Sequence, residues 1–171
     1  MKHKNTALEL LKKLLNDEIK SRSTLNPIQS QSLMKMLEDS IRKYQNKLLT
    51  SAEIIDELIA LSKEIKACDS EALDMKLDEY EYAFYTAVAD NESARELMEK
   101  DTLRELAVVL AQSVRENASI DWTIKESVRA KLRINVKKIL RKYGYPPNMA
   151  ELATDNVIKQ AEIIAKEIQN S

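Results

Sequence analysis

TIKESVRAKLRINVKKILRKYGYPP, residues 123 to 147, carries a whole helix with its start and its stop written into it. Thr123 and Glu126 have the spacing of a capping box, in which each side chain satisfies a backbone N–H that the first helical turn leaves open. Projected at about 100° per residue, Val128, Leu132, Val136, Ile139 and Tyr143 fall in one arc and are expected to face a core. Gly144 is the only glycine of the chain and stands where a left-handed residue closes a helix. Pro146 and Pro147 then stop one helix and restart another.

The same reading extends outward in both directions. A first helix is expected over 6 to 21, with Leu8, Leu11, Leu15 and Ile19 on one side and Leu10 and Leu14 widening the stripe toward a second partner. Pro27 drives Asn26 out of the α region, so a second helix opens there and runs to about 49. Thr50-Ser-Ala-Glu53 is another capping-box pattern, which either opens a third helix or sits within one long helix, and the apolar stripe continues to Ala67. Residues 68 to 77 carry turn-type polar residues and read as a connection. Helices follow over 78 to 89, 92 to 99 and 101 to 117, then a link over 118 to 122. The last helix is expected over 147 to 169, through Met149, Leu152, Val157, Ile158, Ile164 and Ile168. The fold class is therefore all-α, a compact bundle-like arrangement of about seven or eight helices. One domain over 1 to 171 is expected, with possible sub-lobes at 1 to 68 and 78 to 171.

Composition agrees. The chain has 171 residues with one Gly and three Pro, too few for many tight hairpins. Aromatic residues are 5%, against a sheet-rich core, and the 44% hydrophobic content is enough to build a core. Tyr80, Tyr82, Phe84 and Tyr85 are half of the chain's eight aromatic residues. They read as core packing, since a base-stacking platform wants basic surroundings and these are acidic.

Net charge is −1, but two windows depart from neutrality. Residues 69 to 101 hold eleven Asp/Glu against three Lys/Arg, and residues 125 to 143 hold eight Lys/Arg against one Glu. In the basic window Lys125, Arg129, Arg133, Lys137 and Arg141 recur every fourth residue as a ridge, while Lys131, Lys138 and Lys142 cover the other flank. These eight are the candidate DNA- or partner-binding residues. Such a face can track a phosphate backbone, dock on an acidic partner, or pair with the chain's own acidic segment. A plain solvated helix face fits as well.

Several functions lack their residues. There is no phosphate-binding glycine loop, no dinucleotide fingerprint and no HExxH. His3 is the only histidine and is expected in a frayed tail, and Cys68 is the only cysteine, so neither a His-based catalyst nor a multi-cysteine metal site is available. Glu18-Ile-Lys20 and Glu64-Ile-Lys66 match half of a nuclease motif but sit in expected helices, whereas that chemistry needs a strand. No catalytic residue and no metal ligand is assigned. No apolar run reaches the roughly 18–20 residues of a membrane span, and the N-terminus turns amphipathic too early for a signal peptide, so no membrane and a cytoplasmic location are expected.

The run from Ile120 to Pro147 resembles the C-terminal region of the motor (R, HsdR) subunit of type I restriction-modification enzymes. The matching features are Asp121-Trp122, the Val-Arg-Ala-Lys-Leu-Arg run at 128 to 133, the Lys-Tyr-Gly-Tyr-Pro-Pro end at 142 to 147, and Gln160-Ala161-Glu162. Leu8 to Ile19, the Met36-Leu-Glu run with Ile41-Arg-Lys-Tyr44, and Ala83-Phe-Tyr85 extend the similarity over most of the chain. The resemblance implies a parent subunit that uses ATP and Mg to translocate and cleave DNA, with its nuclease and motor N-terminal to the present region. It also implies methyltransferase and specificity subunits and double-stranded DNA as partners. The expectation is a C-terminal fragment of a longer subunit, an assembly domain docking the motor onto the methyltransferase core, with no cofactor in this segment. Two other readings stand beside it: a helical adaptor or regulator unrelated to restriction, and an enzyme fragment with a latent nucleotide pocket.

Overall fold

The computed structural model describes residues 2–117 and 126–170. The expected link over 118 to 122, Lys125, and Thr123 with its capping pattern lie outside the described residues. Eight α-helices occur among the described residues and no strand does, so the all-α expectation holds. They are α1 (Lys2–Arg22), α2 (Pro27–Gln45), α3 (Ser51–Asp74), α4 (Glu79–Ala89), α5 (Glu92–Leu97), α6 (Lys100–Asn117), α7 (Glu126–Lys142) and α8 (Ala150–Asn170), with a 3-10 turn at Pro147–Met149. The chain divides into two compact units, Met1–Asp74 and Met75–Ser171. No described helix is long and apolar enough to cross a membrane.

The first unit is a three-helix bundle in which α1, α2 and α3 all pack on one another. Asn26 caps α2 by accepting from the Gln29 N–H, with Pro27 in the first turn. The Thr50 box is formed in full, Thr50 N–H to Glu53 and Glu53 N–H to the Thr50 hydroxyl. Arg22 ends α1 with its guanidinium forked onto Asp69 of α3 at 2.7 and 2.9 Å, so α1 and α3 run the same way. Leu8, Leu15, Ile19, Leu33, Leu37, Ile54, Leu58, Leu61 and Ile65 form the core.

Several sequence expectations need correction here. The tail expected around His3 is helical, since α1 begins at Lys2. Leu10 and Leu14 are exposed, and α1 reaches its two partners through the Leu8, Leu15 and Ile19 stripe with Leu11 beside it. Helix α2 stops at Gln45, four residues early, because Lys47 takes positive φ and the Lys47 and Leu48 N–H groups turn back onto the Tyr44 and Lys43 carbonyls. Residues 68 to 74 continue α3 instead of forming a connection: Ala67, Glu71, Ala72 and Leu73 favour helix, and Asp69 is anchored by Arg22.

In the second unit α4 packs against α6 and α8, and α7 packs against the same two helices. Phe84, Ala87, Val88, Leu103, Leu106, Ala107, Leu110, Val157, Ala161 and Ile164 are buried there. The small alanines on α4, α6 and α8 let these helices approach closely. Tyr82, Phe84 and Tyr85 belong to this core, and Tyr80 is half-buried with the Arg115 guanidinium 5.4 Å from its ring centroid. Helix α4 opens on a complete capping box, Asp78 with Glu81, which the sequence reading passed over. Burial pushes the Asp78 carboxyl up, but the Glu81 N–H and then the Arg115 hydrogen bond outweigh it and hold the carboxyl below its ordinary range.

Candidate functional site

Helix α7 buries Leu132, Val136 and Leu140, a stripe at every fourth residue. Val128, Ile139 and Tyr143, expected in the core arc with Leu132 and Val136, are only half-buried. The buried arc is thus rotated toward Leu140. Projected along the helix, Leu140 lies about 20° from Arg129 on one side and about 20° from Arg133 on the other. The rotation that buries Leu140 therefore carries the cationic ridge against a neighbouring helix.

That neighbour is α8. Arg133 donates one terminal nitrogen to Asp155 at 2.7 Å and the other to Glu151 at 2.6 Å. Lys137 pairs with Glu151, and Arg129 with Glu162 at 3.1 Å. Glu151 and Asp155 are one turn apart on α8, and the pairing order runs against that of α7, as two helices joined by a tight turn require. The hydrogen bond from Lys137, then that from Arg133, holds the Glu151 carboxyl below its usual range. Asp155 and then Glu151 hold the Arg133 guanidinium charged. The acidic segment over 69 to 101 is an internal partner that the sequence allows for this ridge; the carboxylates that pair with Arg129, Arg133 and Lys137 here come from α8.

The remaining candidates behave differently. Lys131, Lys138, Arg141 and Lys142 are exposed, and none forms an ion pair with a described carboxylate. In projection they occupy an arc of about 100° on the side of α7 away from Val136. Ile134, 56% exposed, stands within that arc. Asn135 ties α7 to α6 through a 2.6 Å hydrogen bond to Ser113. The eight candidates thus separate into three held by α8, four open to solvent, and Lys125, which lies outside the described residues.

The end of α7 sets where α8 begins. Gly144 has φ +74°, the Gly144 N–H bonds the Arg141 carbonyl and the Tyr145 N–H bonds the Leu140 carbonyl, which is a complete Schellman closure. Tyr145 is then buried, its hydroxyl donating to the Val88 carbonyl and accepting from the Asn91 amide. Burial pushes its phenol pKa up, with the Asn91 bond opposing, so it remains a donor. Pro147 starts the 3-10 turn and α8 follows from Ala150; Leu152, expected in the core stripe of that helix, is exposed. Sequence reading missed both the Tyr145 node and the α8 carboxylates. A signal for the latter was present: Glu151 and Asp155, one turn apart just beyond a helix-reversing turn, face back along a basic helix.

Glu18-Ile-Lys20 lies in α1 and Glu64-Ile-Lys66 in α3, and Glu18 accepts a hydrogen bond from Arg22 at 2.9 Å. Among the described residues no three of His, Cys, Asp or Glu come together in a way that could hold a metal ion.

Over residues 1–167 the chain matches the family described as type I restriction enzyme HindI endonuclease subunit-like, C-terminal. The chain belongs to this family. The type I restriction enzyme HindI endonuclease subunit of Haemophilus influenzae is 36% identical over 165 residues, 96% of this chain and 16% of that protein. The putative type I restriction enzyme MjaIXP endonuclease subunit of Methanocaldococcus jannaschii is 32% identical over 145 residues, 84% of this chain and 14% of that protein. The chain thus spans about a sixth of the length of the curated relatives it matches. No solved structure matches it. The resemblance read from residues 120 to 147 holds over nearly the whole chain, and the reading of an adaptor unrelated to restriction is set aside.

Proposed function

We propose that this chain is the assembly domain by which a type I restriction motor subunit docks onto its methyltransferase and specificity subunits, and that α7 contacts double-stranded DNA. The observation that carries the DNA contact is the set of four exposed cations, Lys131, Lys138, Arg141 and Lys142, without described ion-pair partners on one arc of one helix. Unpaired cations can condense on phosphate and release its counterions; paired ones have already spent that interaction. Contacts to phosphate carry no sequence information, which suits a subunit whose target is chosen elsewhere in the complex. Under this reading nuclease and motor chemistry, with ATP and magnesium, belongs to the parts of the subunit outside this segment, as the resemblance to that family implies. The working location under this reading is the cytoplasm, where the DNA is.

The test is an anisotropy titration of the chain against a short labelled duplex at several salt concentrations. Four phosphate contacts predict a log–log slope of about −3.6. Replacing Lys131, Lys138, Arg141 and Lys142 with Ala should abolish most of the binding and flatten the slope toward zero. Unchanged affinity and slope would reassign the arc. Docking is tested separately, by co-purification with the methyltransferase and specificity subunits with and without DNA; recovery of the chain alone in both conditions would refute it.

A further inference from the structure

Arg133, Lys137 and Arg141 form one continuous row along α7, yet only Arg141 is open to solvent without a described partner. What separates them is α8. Glu151 and Asp155 occupy both terminal nitrogens of Arg133, Glu151 also takes Lys137, and Glu162 takes Arg129. Each carboxylate presents anionic oxygens to a cation, as a DNA phosphate would, and each adds a negative charge that repels DNA from that flank. Both effects act in the same direction. The pairs are exposed, with Arg133 at 37% and Glu151 at 65% side-chain accessibility, so the row lies within reach of a duplex once its carboxylates are neutral. We infer that Glu151, Asp155 and Glu162 are internal competitors for phosphate that keep Arg129, Arg133 and Lys137 out of DNA contact and so set how many phosphates α7 engages. This inference rests on the DNA-binding reading above and adds the residues that limit it.

The discriminating variant is Glu151→Gln with Asp155→Asn, which keeps side-chain size and one accepting oxygen on each but removes the charge facing Arg133 and Lys137. Two added contacts would steepen the salt slope from about −3.6 to about −5.4. Between 50 and 200 mM salt, affinity would then fall about 1,800-fold instead of about 150-fold, with tighter binding at the low end. Adding Glu162→Gln should steepen the slope further. A matched control, Glu38→Gln with Asp56→Asn, makes the same change in net charge at two exposed positions of the first unit and should leave the slope unaltered. The gain must also vanish when Arg133 and Lys137 are Ala in the same chain. Single Glu151→Gln serves if the double variant loses its helical circular dichroism. An unchanged slope in the α8 variants, with binding still lost on replacing Lys131, Lys138, Arg141 and Lys142, would overturn this inference and leave the DNA reading standing. No binding by the parent chain would overturn both.

Discussion

Replacing Tyr145 with Phe removes one oxygen from the second unit and should cost it about 2 kcal/mol. The ring is 3% exposed and its packing is unchanged by the substitution, so the effect isolates the hydroxyl. That hydroxyl lies 2.5 Å from the Val88 carbonyl and 2.5 Å from the Asn91 amide nitrogen. Val88 is in the last turn of α4, where carbonyls have no helical N–H of their own. The adjacent Ala89 carbonyl is satisfied instead by Arg95. Asn91 spends its side-chain oxygen capping α5 at the Ala94 N–H, so Tyr145 joins the end of one helix to the start of the next. In the Phe variant the buried Val88 carbonyl is left without a donor, while the half-buried Asn91 amide can turn to water. One stranded buried acceptor costs about 1–3 kcal/mol, and loss of the second bond adds little. For a unit of this size each kcal/mol moves the melting temperature by about 4–8 °C, so a fall of about 8–16 °C is expected. Urea unfolding followed by near-UV circular dichroism reads this unit selectively, since five of the six tyrosines lie in it. The midpoint should fall while the slope of stability against urea is unchanged. In an Asn91→Ala background the same substitution should cost less, because the two share one network. A loss below about 0.5 kcal/mol would refute the reading of Tyr145 as the cap of α4.

The two Schellman closures predict opposite effects of opposite exchanges. Gly144→Ala should destabilise by about 1 kcal/mol purely through its positive φ, since an added Cβ meets nothing within 4 Å, and Lys47→Gly should stabilise the first unit by a similar amount; thermal melts of the two variants check both signs. The Arg22 fork, its hydrogen bond being the leading cause, holds the Asp69 carboxyl below the ordinary range. Its contribution is therefore present above that range and lost as pH falls through the lowered value. Exposure limits it to less than about 1 kcal/mol, and Asp69→Asn should reduce stability near neutrality while flattening the acid side of the first unit's pH profile, measured by urea midpoints.

The fold was legible where the chain carries punctuation with a single physical meaning. Asn26-Pro27 and Gly144 each mark a helix end that the structure places within a residue of expectation, and the Thr50-to-Glu53 box, compatible with a new helix or one long helix, opens α3. It was illegible where an ordinary residue does unusual work. Lys47 at positive φ has no sequence signature, so nothing announced the end of α2. Over 68 to 74 the polar residues suggested a turn, but local propensity and the Arg22–Asp69 fork kept the helix going.

The binding face poses a harder problem, because a row of cations at i, i+4 spacing states a direction on a helix and says nothing of what stands there. On α7 the decision turns on a small rotation. Shifting the centre of the core arc from Leu132 to Val136, so that Leu140 is buried and Val128, Ile139 and Tyr143 are only half-buried, moves the ridge toward α8 and leaves the opposite flank open. The residues of the other flank, Lys131, Lys138 and Lys142, become the open ones, joined by Arg141 alone among the described residues of the ridge. Charge counted along the chain made the basic window uniform; charge counted in space makes it two surfaces of different chemistry. One is a set of pairs that salt and mutation can loosen, and the other is a set of exposed cations without described ion-pair partners. Any account of what α7 binds must therefore treat Arg133 and Lys137 apart from Lys138 and Arg141, although they are neighbours in the sequence. A combined replacement of all of them would mix the loss of a contact with the release of α8's carboxylates, and could not tell which surface did the binding.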